Sequence, residues 1–100
     1  MTDRRLREKC AVVGVWGHPE ASNIAYLGLY ALQHRGQEGA GIASLRPHED
    51  RFCLYKRKGL VADIFTKDVL EKLPGTCAIG HTRYSTSGSK EAENLQPLLV

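Results

Sequence analysis

The sequence predicts an α+β domain in which helices cover a sheet. Three observations predict it. Short apolar runs of strand length recur between turn residues, and two stretches carry apolar residues at helical spacing. The resulting order, β-α-β-β-α-β, also lacks the regular alternation of a doubly wound parallel sheet. One hundred residues suit one small domain.

Residues 1–9 read as a polar leader. Cys10 to Trp16 (CAVVGVW) is a nearly continuous apolar run, the pattern of a strand buried on both faces. His18-Pro19 breaks it. Ser22 or Asn23 is placed to cap a helix running to about Gln33. Ile24, Leu27, Gly28, Ala31 and Leu32 form one apolar stripe at helical spacing. Gly28 permits another backbone to approach closely, so this helix is expected to lie flat on a sheet. His34 to Gly41 (HRGQEGAG) is turn-rich. Gly41 to Leu45 and Arg51 to Lys56 read as two strands, with Arg46 to Asp50 as the hairpin loop around Pro47. Asp63 to Leu73 reads as a helix, with Phe65, Val69 and Leu73 on one side and Pro74-Gly75 as its stop. Thr76 to His81 is a short apolar strand, and Arg83 to Ser89 (RYSTSGS) a polar loop.

Composition narrows the function classes. Hydrophobic residues at 42% and charged residues at 25% are ordinary for a soluble globular chain. Charged residues interrupt every apolar stretch before it reaches membrane-span length, and the charged start lacks the apolar block of a secretory signal. The expectation is a cytoplasmic protein without a membrane partner. The net charge of +3 is concentrated in the leader, where Arg4, Arg5, Arg7 and Lys9 face only Asp3 and Glu8. A nucleic-acid binder carries its basic stripe on the folded body, so no nucleic-acid partner is expected. Three cysteines without a CxxC pair argue against a disulfide framework or a zinc knuckle. The four histidines include no pair at the helical metal spacing.

Cys10 is the first candidate for chemistry. A cysteine opening an apolar strand is ordinarily a small core residue. The charged leader opens a second reading. Cleavage between Lys9 and Cys10 would leave an α-amino group beside the thiol, with a pKa of roughly 7.7–8.0. Nucleophile and base would then share one residue. Cys53 and Cys77 lie inside predicted strands and read as core. Arg35 and Arg83 each follow a regular element among small or polar residues, where a guanidinium fork suits a carboxylate. The plain alternative is a solvated surface arginine.

Together, CAVVGVWGH at 10–18, ALQHRGQEGAGIAS at 31–44 and GHTRYSTSGS at 80–89 resemble, in order and spacing, the opening glutaminase domain of class II glutamine amidotransferases. The HRGQEGAGIA run is most similar to the amidophosphoribosyltransferase family. The resemblance covers residues 10–100, as a partial glutaminase domain, and makes residues 1–9 a propeptide.

By that resemblance the fold would be the αββα sandwich of N-terminal nucleophile hydrolases, incomplete in this chain. The family pattern implies that Cys10 would attack the side-chain amide of glutamine. It likewise implies that Arg83 would hold the substrate α-carboxylate, that Thr86 and Ser87 would line the same pocket, and that Arg35 and Gly36 would pack beside the nucleophile. A further domain would pass ammonia to phosphoribosyl pyrophosphate and form phosphoribosylamine, the first step of purine synthesis. That domain would use Mg2+, and some members carry an iron–sulfur cluster whose ligands would lie beyond Val100. The complete enzyme is expected to be a homo-oligomer. The chain ends before the family's Asn-Gly oxyanion pair and before the acidic residue that grips the substrate α-amino group. It reads as a piece of a longer protein, inactive alone. Two other readings remain open: another class II amidotransferase, such as a glucosamine-phosphate synthase homologue, or a non-catalytic module that keeps the fold.

Overall fold

A computed structural model describes residues 11–33 and 37–84. Among them the chain runs through β1 (Ala11–Trp16), α1 (Ala21–Leu32), β2 (Gln37–Arg46), β3 (Arg51–Lys58), α2 (Val61–Ile64), α3 (Lys67–Glu71) and β4 (Cys77–Tyr84). The strands form a four-stranded sheet in the order β1-β4-β2-β3. Every neighbouring pair is antiparallel. The expected α+β class holds.

Helix α1 lies on one face of this sheet. Side chains alternate across a strand, so Val13 and Val15 of β1 face the helix with Ala78 of β4 and Ile42 of β2. Leu29, Ile42 and Val61 are completely buried there. Each contributes about 1.5–3 kcal/mol by leaving water. The helix approaches closely because its contact residues are small: Ala21, Ser22 and Ala25 are buried with Leu29. A Cβ on Gly28 would stand 3.0 Å from both methyl groups of Val13, so Gly28 admits a side chain of β1 rather than the backbone expected there. Phe65 extends the cluster, edge-on to Tyr26 at 6.4 Å and to Tyr55 at 6.2 Å.

Several expectations are corrected. The run from 10 to 16 is not buried on both faces. Its described part is an edge strand whose outer side chains are exposed, with Trp16 80% exposed. The described helices leave that second face uncovered around Val12, Trp16, Phe52 and Ile79. The apolar stripe assigned to α1 is rotated. Leu27, Ala31 and Leu32 are exposed, because the sheet accepts the small-residue side instead. Neither Ser22 nor Asn23 caps the helix, and the cap position is Glu20. The Ser22 hydroxyl donates instead to Leu73 O at 2.6 Å and ties α1 to the segment after α3. The Asn23 amide donates to the Glu20 carboxylate.

Residues 37–41 are strand and not turn, because β2 lies inside the sheet between β4 and β3. The helix expected over 63–73 is two short ones. Phe65 leaves helical geometry, and the Thr66 hydroxyl accepts from Val69 N–H to start α3. Arg83 and Tyr84 extend the last strand rather than opening a loop. The hairpin loop expected over 46–50 is 47–50, because Arg46 belongs to β2, and the helical segment ends at Glu71, two residues short of the expected Leu73. Cys77 is buried as expected, while Cys53 is only half-buried against the core.

Gly75 has φ +135, and a Cβ there would stand 2.2 Å from Leu45 O. That carbonyl accepts from Thr76 N–H at 3.1 Å, so the backbone cannot withdraw without losing the bond. Gly75→Ala is therefore expected to destabilise the protein by about 2 kcal/mol or more. Denaturant melting checks this, and an unchanged midpoint would contradict it.

Candidate active site

The sheet topology brings three distant segments to one end. β4 lies between β1 and β2 and runs antiparallel to both. The start of β1, the start of β2 and the end of β4 therefore share one edge of the molecule. Ala11 is paired with Thr82, Gly39 with Arg83 and Gln37 with Tyr84. Ala11 N–H also donates to the Thr82 hydroxyl at 3.3 Å. Thr82 is fully buried.

Of the site residues expected from sequence, Arg83 falls within this end. Cys10, Arg35, Gly36, Thr86 and Ser87 lie outside the described residues. Cys10 precedes Ala11, Arg35-Gly36 precedes Gln37, and Thr86-Ser87 follows Tyr84 closely.

Arg83 is half-buried. It shares a strand face with His81, the face away from α1, because residues two apart on a strand point the same way. His81 is buried and lies between Val12 and Gly41 in the ladder. Its pKa is lowered from 6.5, first by burial and second by the Arg83 charge. The imidazole is neutral near pH 7. Its Nδ1 has no hydrogen-bond partner among the described residues.

Gln37 was not singled out from the sequence, yet it organises this edge. It is buried at the first position of β2. Its Nε2 donates to Gly39 O at 2.9 Å and to Gly59 O at 2.6 Å. Its Oε1 accepts from Val61 N–H at 3.2 Å, which Gln33 Oε1 shares at 3.1 Å. Only a carboxamide offers donors and an acceptor at that reach without charge. The β2–β4 register shifts between Gln37 and Gly39, leaving Glu38 as the extra residue of a bulge. Gly59 N–H donates to Glu38 O at 2.8 Å, so the bulge is held from both sides. The sequence signal available was a glutamine opening a glycine-rich strand, which says nothing by itself about burial.

Two features lie elsewhere. A depression between α1 and α3 is lined by Ser22, Tyr26, Phe65, Leu70 and Leu73, at the far end of the helix. A shallow apolar groove on the uncovered sheet face is lined by Trp16, Leu45, Phe52, Cys77 and Ile79. No group of three or more His, Cys, Asp or Glu among the described residues could hold a metal ion. No described helix is long and apolar enough to cross a membrane.

No family model matches the sequence. Individual proteins do. The chain is 52% identical over 98 residues to the chloroplastic amidophosphoribosyltransferase of Vigna aconitifolia, covering 98% of this chain and 20% of that protein. It is 49% identical over 94 residues to the amidophosphoribosyltransferase of Bacillus subtilis, covering 94% of this chain and 19% of that one. Against the Lacticaseibacillus casei protein of the same name the identity is 52% over 95 residues, or 48% of that protein. The chain thus spans about one fifth of the length of the first two relatives. A solved structure described as the allosteric regulatory enzyme of purine biosynthesis matches with a TM-score of 0.78 and 48% identity, over 87% of this chain and 18% of that one. The glutamine phosphoribosylpyrophosphate amidotransferase of B. subtilis, complexed with ADP and GMP, matches with a TM-score of 0.74 and 46% identity, over the same shares. The fold is therefore part of the N-terminal nucleophile hydrolase sandwich, and the described residues supply one sheet and the helical layer on it.

Proposed function

We propose, from the premise that this chain is homologous over nearly its whole length to amidophosphoribosyltransferases, that it is the glutamine-cleaving part of such an enzyme. The observation that carries the proposal is the shared sheet edge. The strand that follows the cysteine in sequence, the strand that follows the RG pair and the strand that holds the HTRY run have adjacent ends.

In this reading residues 1–9 are a propeptide and residues 10–100 part of the glutaminase domain. Loss of the propeptide frees the Cys10 α-amino group, which takes the thiol proton. The sulfur attacks the glutamine side-chain carbonyl, and the protonated amine returns the proton to the leaving ammonia. A γ-glutamyl thioester results, and water cleaves it to glutamate. Arg83 receives the substrate α-carboxylate, with Thr86 and Ser87 lining the pocket and Arg35-Gly36 packed beside the sulfur. Ammonia then displaces pyrophosphate from phosphoribosyl pyrophosphate, giving phosphoribosylamine. Mg2+ would assist that second step by neutralising pyrophosphate. The described residues offer it no ligand cluster, and no step here depends on it. The charged leader supports a cytoplasmic location, although the plant relatives are named chloroplastic.

The test is stoichiometry. The full-length protein carrying this sequence, given glutamine and phosphoribosyl pyrophosphate, should release glutamate and pyrophosphate in equal amounts. Glutamate release that depends instead on fructose phosphate would overturn the acceptor and point to a glucosamine-phosphate synthase.

A further inference from the structure

We infer that Gln37 is a positioning residue for Arg83. The inference rests on the glutamine site proposed above and adds to it a residue outside the substrate's contacts. The β2 bulge sits opposite the Arg83–Tyr84 step of β4, because Gln37 pairs with Tyr84 and Gly39 with Arg83. A bulge bends its strand and re-aims the side chains beside it. Its shape therefore sets where the end of β4 stands.

The backbone ties the bulge to the end of β3 through the Gly59 N–H bond to Glu38 O at 2.8 Å. The Gln37 carboxamide adds side-chain ties from the same strand start. One NH2 group bridges Gly39 O within the bulge and Gly59 O at the end of β3. The oxygen of the same amide reaches Val61 N–H at the start of α2. The bulge is thereby fixed to a packed part of the core, since Val61 is completely buried. Gln33 shares only the Val61 bond, so it is a natural control.

Glutamate at position 37 keeps size and shape but replaces the donor with an acceptor facing two carbonyl oxygens. Gln37→Glu releases the bulge from Gly39 and Gly59 while the core contacts persist. Gln37→Asn keeps the carboxamide but is one methylene shorter than the span requires, and it carries the same test if the glutamate variant does not fold.

The experiment uses the full-length protein and the diazoketone analogue of glutamine, diazo-oxo-norleucine. The Cys10 thiol gives its proton to the diazo carbon, the C–N bond breaks to release dinitrogen, and a C–S bond forms. Iodoacetamide reports the same thiol without needing the amino-acid pocket. Gln37→Glu is expected to weaken saturable binding of the analogue about tenfold, the scale of one lost buried hydrogen bond, with the iodoacetamide rate unchanged. Gln33→Ala should bind the analogue as the unsubstituted protein does.

The deciding measurement is the double variant with Arg83→Lys. If Gln37 acts through Arg83, the two effects are strongly less than additive. Fully additive effects, equal loss of both labelling reactions, or no effect of Gln37→Glu would overturn the positioning role. If the unsubstituted protein is not labelled at Cys10 by the analogue, the glutamine site itself fails and this inference falls with it.

Discussion

Cys10→Ala is expected to abolish glutamine-dependent phosphoribosylamine formation and to spare the ammonia-dependent reaction. Losing the sulfur leaves no group to carry the γ-glutamyl intermediate, and loss of a covalent nucleophile costs about 10⁴-fold or more. Ammonia supplied from solution needs no thioester, so the acceptor chemistry continues. The same premise requires a free α-amino group on Cys10. Intact mass of the active protein should therefore show residues 1–9 removed, and an active protein that keeps Met1 or Thr2 would contradict this assignment. A purely structural Cys10, packing at the start of β1, predicts a modest loss of stability and retained glutamine turnover. Cys77 provides the contrast. It is buried in β4, and Cys77→Ala should cost about 1 kcal/mol of stability without touching the chemistry.

Arg83→Lys should raise the KM for glutamine and lower kcat/KM about 10- to 100-fold, the scale of lost charge-assisted hydrogen bonds. Arg83 is half-buried at the end of β4, beside the bulge of β2. A planar fork there takes both oxygens of an α-carboxylate, whereas an ammonium presents a point charge on a flexible stem. Some fall in kcat accompanies this if the carboxylate anchor also aligns the amide with the sulfur. An arginine paired only with surface carboxylates would contribute about 0–1 kcal/mol and leave glutamine kinetics unchanged. Steady-state rates with glutamine and with ammonia on the same variant separate the two. Normal values with both donors would remove Arg83 from substrate recognition.

The strands and the hairpin were legible because apolar runs between turn residues report backbone state directly. Helix α1 was legible as a helix but not in its orientation. Leu27 and Leu32 dominate a hydrophobicity pattern, yet Ala21, Ser22 and Ala25 make the contact because a sheet surface accepts a flat helix face. The same bias hid the break at Phe65-Thr66, where the apolar spacing continues through a local change of backbone. Arg83 drew notice for its chemistry and was expected to open a loop, whereas it lies within β4. Gln37 was not legible, because its importance lies in the carbonyls of Gly39 and Gly59, and no side chain announces those. The neutrality of His81 was equally hidden, since it arises from burial and from its neighbour two residues along.

The strand order also dictates an order of assembly. β2 and β3 are adjacent in the chain and joined by a short loop, so they pair through local contacts. Of the described strands β1 is made first, but its neighbour among them is β4, and the Thr82 hydroxyl that receives the Ala11 N–H lies 71 positions further along the chain. β4 is also what joins β1 to the hairpin. During synthesis the four-stranded sheet therefore cannot close until β4 has left the ribosome, and β1 waits through that whole interval. Such long-range closure is slow. β4, the last of the described strands to emerge, thus completes this four-stranded sheet and carries Arg83 to the end where β1 begins.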